Sequence, residues 1–338
     1  MVYTAVSKGE TVPDSPLTLP PLMIGGAVFS YHYNEDVSKV DTEAILSRAI
    51  SSGANAFDTS PYYGDSETVM GEALHNLRSK HPRNSYMLIT KCGRKSFDVF
   101  DYSPSWIRQS VMRSLQRLRT EYLDAVLLHD AEFTSVEEVL AGVSEFVKLR
   151  QEGYVRAFGL SGYTLSTLLS YVQAVKEQLG VSTEILFSYC HYNLQNNSLA
   201  QYAPKFRALG VKSIINGSPL SMGLLRAEPA PEWHPASPGL KAACISTSSH
   251  VESVYGQKLA DVALRYSLGF DGTTCVGCST LPELEAALEA RDTVLTYKKS
   301  EKGGDVDGRM FKDLRSMLVG DYEMAWPVPP PGWVRKSQ

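Results

Sequence analysis

The sequence has no apolar run approaching the roughly 18–20 residues that a membrane-spanning helix requires. Its opening stretch, MVYTAVSKGETVPDSPLTLPP, lacks the charged-then-apolar layout of a secretory leader. Net charge is only −4, so no bulk attraction draws the chain to nucleic acid or to an anionic membrane. Cysteine is scarce and odd in number: Cys92, Cys190, Cys244, Cys275 and Cys278. Scattered thiols of this kind make no disulfide framework and fit a reducing, cytoplasmic compartment. Cys275 and Cys278 form a C-x-x-C, but there is no second pair at zinc spacing, so no metal is expected. Two small residues at a strand end account for them. No G-x-G-x-x-G follows a strand, which argues against a doubly wound dinucleotide domain. No G-x-S-x-G elbow is present for a serine hydrolase.

What the sequence does have is rhythm. Eight short apolar runs read as buried strands. They are LMI from Leu22, ANAF before Asp58, YMLIT before Lys91, DAVLL before His129, AFGL before Ser161, EILF before Ser188, SII before Asn216 and TTCV before Gly277. Segments with helical periodicity alternate with them: Thr42–Ser51, Glu67–Leu77, Pro104–Leu118, Val136–Arg150, Leu165–Leu179, Val254–Leu268 and Pro282–Ala290. Strand ends recur about every 30 residues, the size of one βα unit. Eight such units predict an α/β protein built as a (β/α)8 TIM barrel, one domain with the barrel over about 20–295. Two stretches break the rhythm. Gly217–His250, rich in Pro, Ala and Ser, predicts a long loop after the seventh strand. The tail from about 296 to 338 predicts a C-terminal extension, with a short helix around Met310–Val319.

Asp58, Lys91 and His129 each directly follow a strand run, and Ser161 and Tyr189 repeat the pattern on strands five and six. Singly, each has an ordinary explanation. An Asp there caps a turn, a Lys is solvated and a His packs. Parallel barrel strands, however, bring their C-terminal ends to one face, which carries the active site in essentially every barrel enzyme. Three polar residues on successive strands therefore converge. Tyr62 and Tyr63 both lie in the loop over that face, and spacing alone does not separate them.

The segment GANAFDTSPYYG, Gly53 to Gly64, closely resembles the signature of the aldo-keto reductase family. The resemblance runs from Leu22 to about Ala290 and independently implies the (β/α)8 fold. It places the family's catalytic tetrad on Asp58, Tyr63, Lys91 and His129, because the family tyrosine immediately precedes the glycine. Such a tetrad suits hydride chemistry on a carbonyl or hemiacetal. A phenol with an ordinary pKa near 10 needs a neighbouring ammonium to exchange protons near neutrality. Lys91 would supply it, Asp58 would hold Lys91, and His129 would orient the substrate oxygen.

The resemblance also implies an extended nicotinamide dinucleotide across the barrel mouth. Gly25 and Gly26 end strand one, and Asp58 lies beside them. Ser161-Gly162 stands where the family has Ser-Asn. Tyr189 replaces the family glutamine. NGSPLSMGLL supplies Ser218, Pro219, Leu220 and Met222, with Gly217 in place of a stacking tyrosine. GCSTLPELEAAL supplies Gly277, Ser279 and Glu283 beside the adenosine. No Lys or Arg lies between Arg265 and Arg291, and a carboxylate at 283 suits a free 2′-hydroxyl and repels a 2′-phosphate. The expected cofactor is NAD. The plainer reading of Glu283 is a first-turn helix residue favoured by the dipole.

Within the family, TKCGR, SYCHYN and SPLSMGLL resemble the sugar 1-dehydrogenase branch. That implies oxidation of an aldose of the D-arabinose or L-galactose type to its lactone, with a small-molecule sugar as partner. Candidate substrate contacts are Tyr31, His32, Tyr63, Cys92, Arg94, His129 and His191, with Trp106 and Trp326 as further candidates; each single one of the loop residues also has a packing explanation. Alternatives are a carbonyl or pyridoxal-type dehydrogenase and a non-enzymatic cofactor-binding subunit resembling potassium-channel β subunits.

Overall fold

Alternate residues of a strand face opposite ways, and that period sorts each apolar run into two layers. A computed structural model describes residues 10, 12–13, 16–31, 34–299, 305–319, 325–330 and 332–336. Eight parallel strands close into a barrel in sequence order. They are β1 (Leu22–Gly25), β2 (Ala56–Asp58), β3 (Met87–Cys92), β4 (Leu123–Leu128), β5 (Val155–Gly162), β6 (Ile185–Tyr189), β7 (Ser213–Gly217) and β8 (Thr273–Val276). Closure is direct: β1 pairs with β2 on one side and β8 on the other. One parity, with Met23, Ile89, Leu127, Ile185, Phe187 and Ile215 among its members, fills the barrel. The other, including Phe57, Leu88, Val126, Phe158 and Leu186, packs outward against the helices. Both layers are buried, which is why the strands read as continuous apolar runs rather than alternating ones.

Helices α1 (Thr42–Ser51), α2 (Ser66–Asn76), α3 (Pro104–Arg117), α4 (Val136–Gln151) and α5 (Leu165–Leu179) follow the first five strands, within a residue or two of the expected bounds. Their starts are chemically marked. Ser103 caps α3 ahead of Pro104, and Ser135 and Glu138 form a reciprocal capping box on α4, each cap worth about 1 kcal/mol.

The second half departs from the sequence reading in four places. Helix α6 (Leu199–Ala208) carries Pro204 in its interior, which masks its periodicity. The stretch expected as a loop through His250 is irregular only to Ser237. There the Ser237 hydroxyl caps α7 (Pro238–His250) by accepting the Leu240 N–H. The Ala, Ser and Thr residues of α7 give it almost no apolar stripe, so no period is visible in the sequence. Next, α8 begins only at Leu259 and ends at Leu268, because Val251–Tyr255 forms a π-helical turn closed by Gly256 at φ +62°. The last barrel helix, α9 (Leu281–Lys299), runs well past Ala290. In the tail, α10 (Asp305–Leu318) seats Met310, Leu314 and Leu318 on Leu240 and Cys244 of α7. No helix among the described residues is long and apolar enough to cross a membrane.

Candidate active site

The parity that fills the barrel also builds its mouth. Each filling residue is followed two positions later by a residue on the same face. Ala56 leads to Asp58, Ile89 to Lys91, Leu127 to His129, Ala157 through Gly159 to Ser161, and Phe187 to Tyr189. Met23, Ile215 and Cys275 lead to Gly25, Gly217 and Gly277. The top layer of the barrel is thus a ring of polar residues and glycines at the C-terminal strand ends.

Lys91 donates from Nζ to Asp58 Oδ2 at 2.5 Å and to the Thr59 carbonyl at 3.1 Å. Both side chains are buried. Burial pushes the Asp58 carboxyl up from its usual range, and the Lys91 charge opposes that rise. The Lys91 ammonium also lies 4.8 Å from the Tyr63 ring centre and 5.0 Å from that of Phe187. Tyr63 is brought over it by a tight turn, its N–H donating to the Ser60 carbonyl, followed by Gly64 at φ +54°. Tyr62 turns the other way and stacks over the Arg94 guanidinium at 3.9 Å. The two tyrosines that spacing left equivalent are therefore distinguished by which cation lies under each.

His129 is buried against the edges of both tyrosine rings, with centroids 5.8 Å and 5.6 Å away. Its Nδ1 is 2.9 Å from Ser60 Oγ. Burial, and then the charges of Lys91 and Arg94, hold it well below the ordinary histidine range. The ring is neutral at physiological pH.

Behind His129 stands a second polar cluster that the sequence reading missed. Asp130 takes a left-handed backbone, φ +56°, and pairs with Arg94. Glu132 accepts the Tyr163 N–H at 2.6 Å. A Cβ on Gly162 would fall 2.0 Å from Glu132 Oε2, so the missing side chain at 162 is explained by a carboxyl group that occupies its space. Burial, with the Asp130 charge adding, raises Glu132 to about 8. The only sequence signal was HDAEF, two acids just after the fourth strand. Phe187 was also missed. Its ring would lie 2.4 Å from a Cβ on Gly217, so Gly217 packs on it from β7.

The cofactor candidates fall around the same mouth. Ser161 Oγ donates to the Leu128 carbonyl at 3.1 Å, and Tyr189, half-buried, lies beside Tyr163 at 5.3 Å. Gly26 is pressed on the Asp58 carbonyl, 2.8 Å from where its Cβ would be. After β7, Ser218, Ser221 and Met222 all hold positive φ, a strained backbone of the kind found at ligand clamps. His234 fixes this segment by donating from Nε2 to the Ser221 carbonyl at 2.8 Å, while its Nδ1 accepts the Ala236 N–H. Pro219 offers its carbonyl to Ser267 at 3.5 Å, and Leu220 packs against the α7–α10 cluster. Gly277 lies flat against Val28, 2.5 Å from its would-be Cβ. Ser279 accepts from Asn34, joining the loops after β1 and β8. Glu283 accepts the N–H groups of Ser279 and Thr280 at 2.7 Å and 3.2 Å, and Thr280 caps Glu283 in return. It is a helix-capping residue as well as the local negative charge.

One substrate candidate is corrected. Cys92 has the wrong parity: next to Lys91, it faces outward into the apolar layer under the helices and lines no mouth. His191 is 3% exposed, bonded to Ser188 at 3.0 Å and packed on Tyr163 at 4.3 Å. Trp106 opens α3 and is held between the Lys95 and Arg113 cations. His32 lies outside the described residues. Tyr31 is 63% exposed and lies across Gly64 at the rim. Trp326 of the tail stacks on Tyr163 at 5.4 Å, and its backbone N–H donates to the Tyr163 hydroxyl.

The buried histidines carry a stability prediction. Burial lowers His191 to about 4. An unfolded chain takes up a proton there below about pH 6.5, whereas the folded one does not until about pH 4. Stability is therefore lost as pH falls through that window, by about 3 kcal/mol from His191 alone. Thermal melts of wild type and His191→Gln across that range are expected to converge as pH falls. Parallel curves would contradict the assignment.

Residues 21–302 match the Aldo/keto reductase family. The chain is 38% identical to D-arabinose 1-dehydrogenase of Saccharomyces cerevisiae over 90% of its length and 92% of the relative. It is 34% identical to L-galactose dehydrogenase of Arabidopsis thaliana over 86% and 88%. An aldo-keto reductase from Bacillus halodurans, solved in its holo form, superposes with a TM-score of 0.67 at 21% identity, covering 92% of this chain and 97% of that one. The chain belongs to the aldo/keto reductase family, a family of nicotinamide-dependent oxidoreductases.

Proposed function

We propose that this protein oxidises the C1 hemiacetal of an aldose to the lactone with NAD+. The observation that carries the reading is the buried Asp58–Lys91 pair set directly under Tyr63, with neutral His129 alongside. Tyr63 takes the C1 hydroxyl proton. Lys91 favours its phenolate, and Asp58 keeps the ammonium in place. His129 donates a hydrogen bond to the same oxygen and orients it.

The mouth fits a nicotinamide. The glycines at 25, 217 and 277 leave its floor without side chains, and Ser161 brings a hydroxyl to the edge. Tyr189 and the strained 218–222 segment would flank the ring and pyrophosphate, and Ser279 and Glu283 the adenosine. When bound, the nicotinamide supplies the hydride chemistry.

The two sugars named for the relatives share their configuration at C2, C3 and C4; L-galactose adds only a C5 hydroxymethyl. A substrate with that stereochemistry is the natural first choice. The test is a panel of aldoses with NAD and NADP, followed by the absorbance of reduced cofactor. Activity is expected with D-arabinose and L-galactose and not with D-galactose. Binding of cofactor with silence across all sugars would refute the proposal and favour a regulatory subunit.

NAD is preferred because Glu283 already occupies the N–H groups that open α9, and its charge would face a 2′-phosphate. A preference for NAD in kcat/KM of roughly tenfold to a hundredfold is expected, shrinking in Glu283→Gln. Equal turnover with both cofactors would exclude this role.

A further inference from the structure

We infer that Ser60 fixes the tautomer of His129, making Nε2 the protonated nitrogen and the ring a hydrogen-bond donor toward the substrate oxygen. The inference rests on the function proposed above, but its geometry stands apart from it. Ser60 is fully buried, and its hydroxyl has one proton to place. Its oxygen accepts the Tyr62 backbone N–H at 3.1 Å, a group that only donates. Its second contact is His129 Nδ1 at 2.9 Å. The oxygen keeps a second lone pair, but among the described residues Nδ1 is the one acceptor within hydrogen-bond reach of this buried hydroxyl, so its proton is satisfied only when it points at Nδ1. In a neutral imidazole the ring proton is then on Nε2.

The other side of the ring agrees. Asp130 Oδ2 lies 3.7 Å from Nε2, too far for a hydrogen bond but close enough to favour an N–H over a lone pair there. Asp130 is itself held by Arg94, and Arg94 by the ring of Tyr62. Because Nε2 is not consumed by Asp130, its proton remains available to an incoming oxygen. The opposite tautomer would turn a lone pair toward that oxygen. It would repel the charge that develops there and compete with Tyr63 for the proton. Ser60 is thus a positioning residue: it acts on the substrate only through His129.

The test is the imidazole 15N spectrum of the full-length, 15N-labelled protein without substrate, with His129 resonances assigned by their absence in His129→Asn. The expected pattern shows a protonated Nε2 and a hydrogen-bonded, unprotonated Nδ1, unchanged across the neutral range. Ser60→Ala should move the pattern toward a mixture of tautomers and lower kcat about tenfold, the worth of one ordinary hydrogen bond. Ser60→Thr, which keeps the hydroxyl, should restore both. A wild-type spectrum with Nδ1 protonated would overturn the inference, as would a Ser60→Ala spectrum that keeps Nε2 protonated. If Ser60→Ala does not fold, the wild-type spectrum decides alone. Because that spectrum needs no substrate, a failure of the sugar assignment leaves this outcome readable.

Discussion

Tyr63→Phe is expected to lower kcat by about a thousandfold while cofactor binding is unchanged. Phenylalanine keeps the ring that packs over Lys91 and against His129, so the pocket's shape survives. What is removed is one ionisable oxygen. General acid–base catalysis by a positioned group contributes roughly 10²–10⁴ in rate, and a buried ammonium beneath the ring places Tyr63 in the upper half of that span. Tyr62→Phe is the matched control. Its ring stays on Arg94 and its loss should change kcat less than about tenfold. Initial rates read reduced cofactor, and quenching of protein fluorescence reads its binding. A Tyr63→Phe enzyme that keeps most of its turnover would remove Tyr63 from the chemistry. A larger loss in Tyr62→Phe would transfer the role to its neighbour.

Much of this site was legible because one rule, the two-residue period of a strand, governs both the core and the mouth. Runs ending at Asp58, Lys91 and His129 announced themselves once eight parallel strands were expected. The same rule excludes Cys92 from the mouth: adjacency to Lys91 guarantees the opposite face. The choice between Tyr62 and Tyr63 was invisible to spacing, since both sit in a turn whose handedness only coordinates reveal. The family resemblance favours Tyr63, and the geometry separates the two by the Lys91 ammonium at one ring and the Arg94 guanidinium at the other. Glu132 and Ser60 were unreadable for a different reason. Each contacts a residue that is distant in sequence and belongs to another βα unit, Gly162 and His129, so no local pattern marks them. Helix α7 was hidden because its small residues carry no stripe, although Ser237-Pro238 is a capping signal in plain view.

The Asp58–Lys91 pair makes the second large prediction, and it concerns what the pair is for. Lys91→Met should destabilise the fold by about 3–5 kcal/mol, because a buried carboxylate loses its counter-charge. Asp58 already has a carboxyl raised by burial, and without Lys91 it rises further. A group whose folded pKa is raised contributes stability at low pH and loses it as pH climbs. The deficit of Lys91→Met should therefore be largest at alkaline pH and shrink as pH falls toward the ordinary carboxylate range. The double variant Asp58→Asn/Lys91→Met removes both charges at once. It should regain most of the lost stability, a coupling of about 2–3 kcal/mol, while turnover stays abolished. Thermal melts at several pH values give the first quantity, and initial rates the second. If the double variant is as unstable as the single, the pair holds the barrel by packing and its charges are incidental. If it folds like the wild type and turns over nothing, then the buried ion pair adds nothing net to stability. It is retained because a phenol above it must exchange protons near neutral pH, and only a fixed, charged ammonium lets it do so.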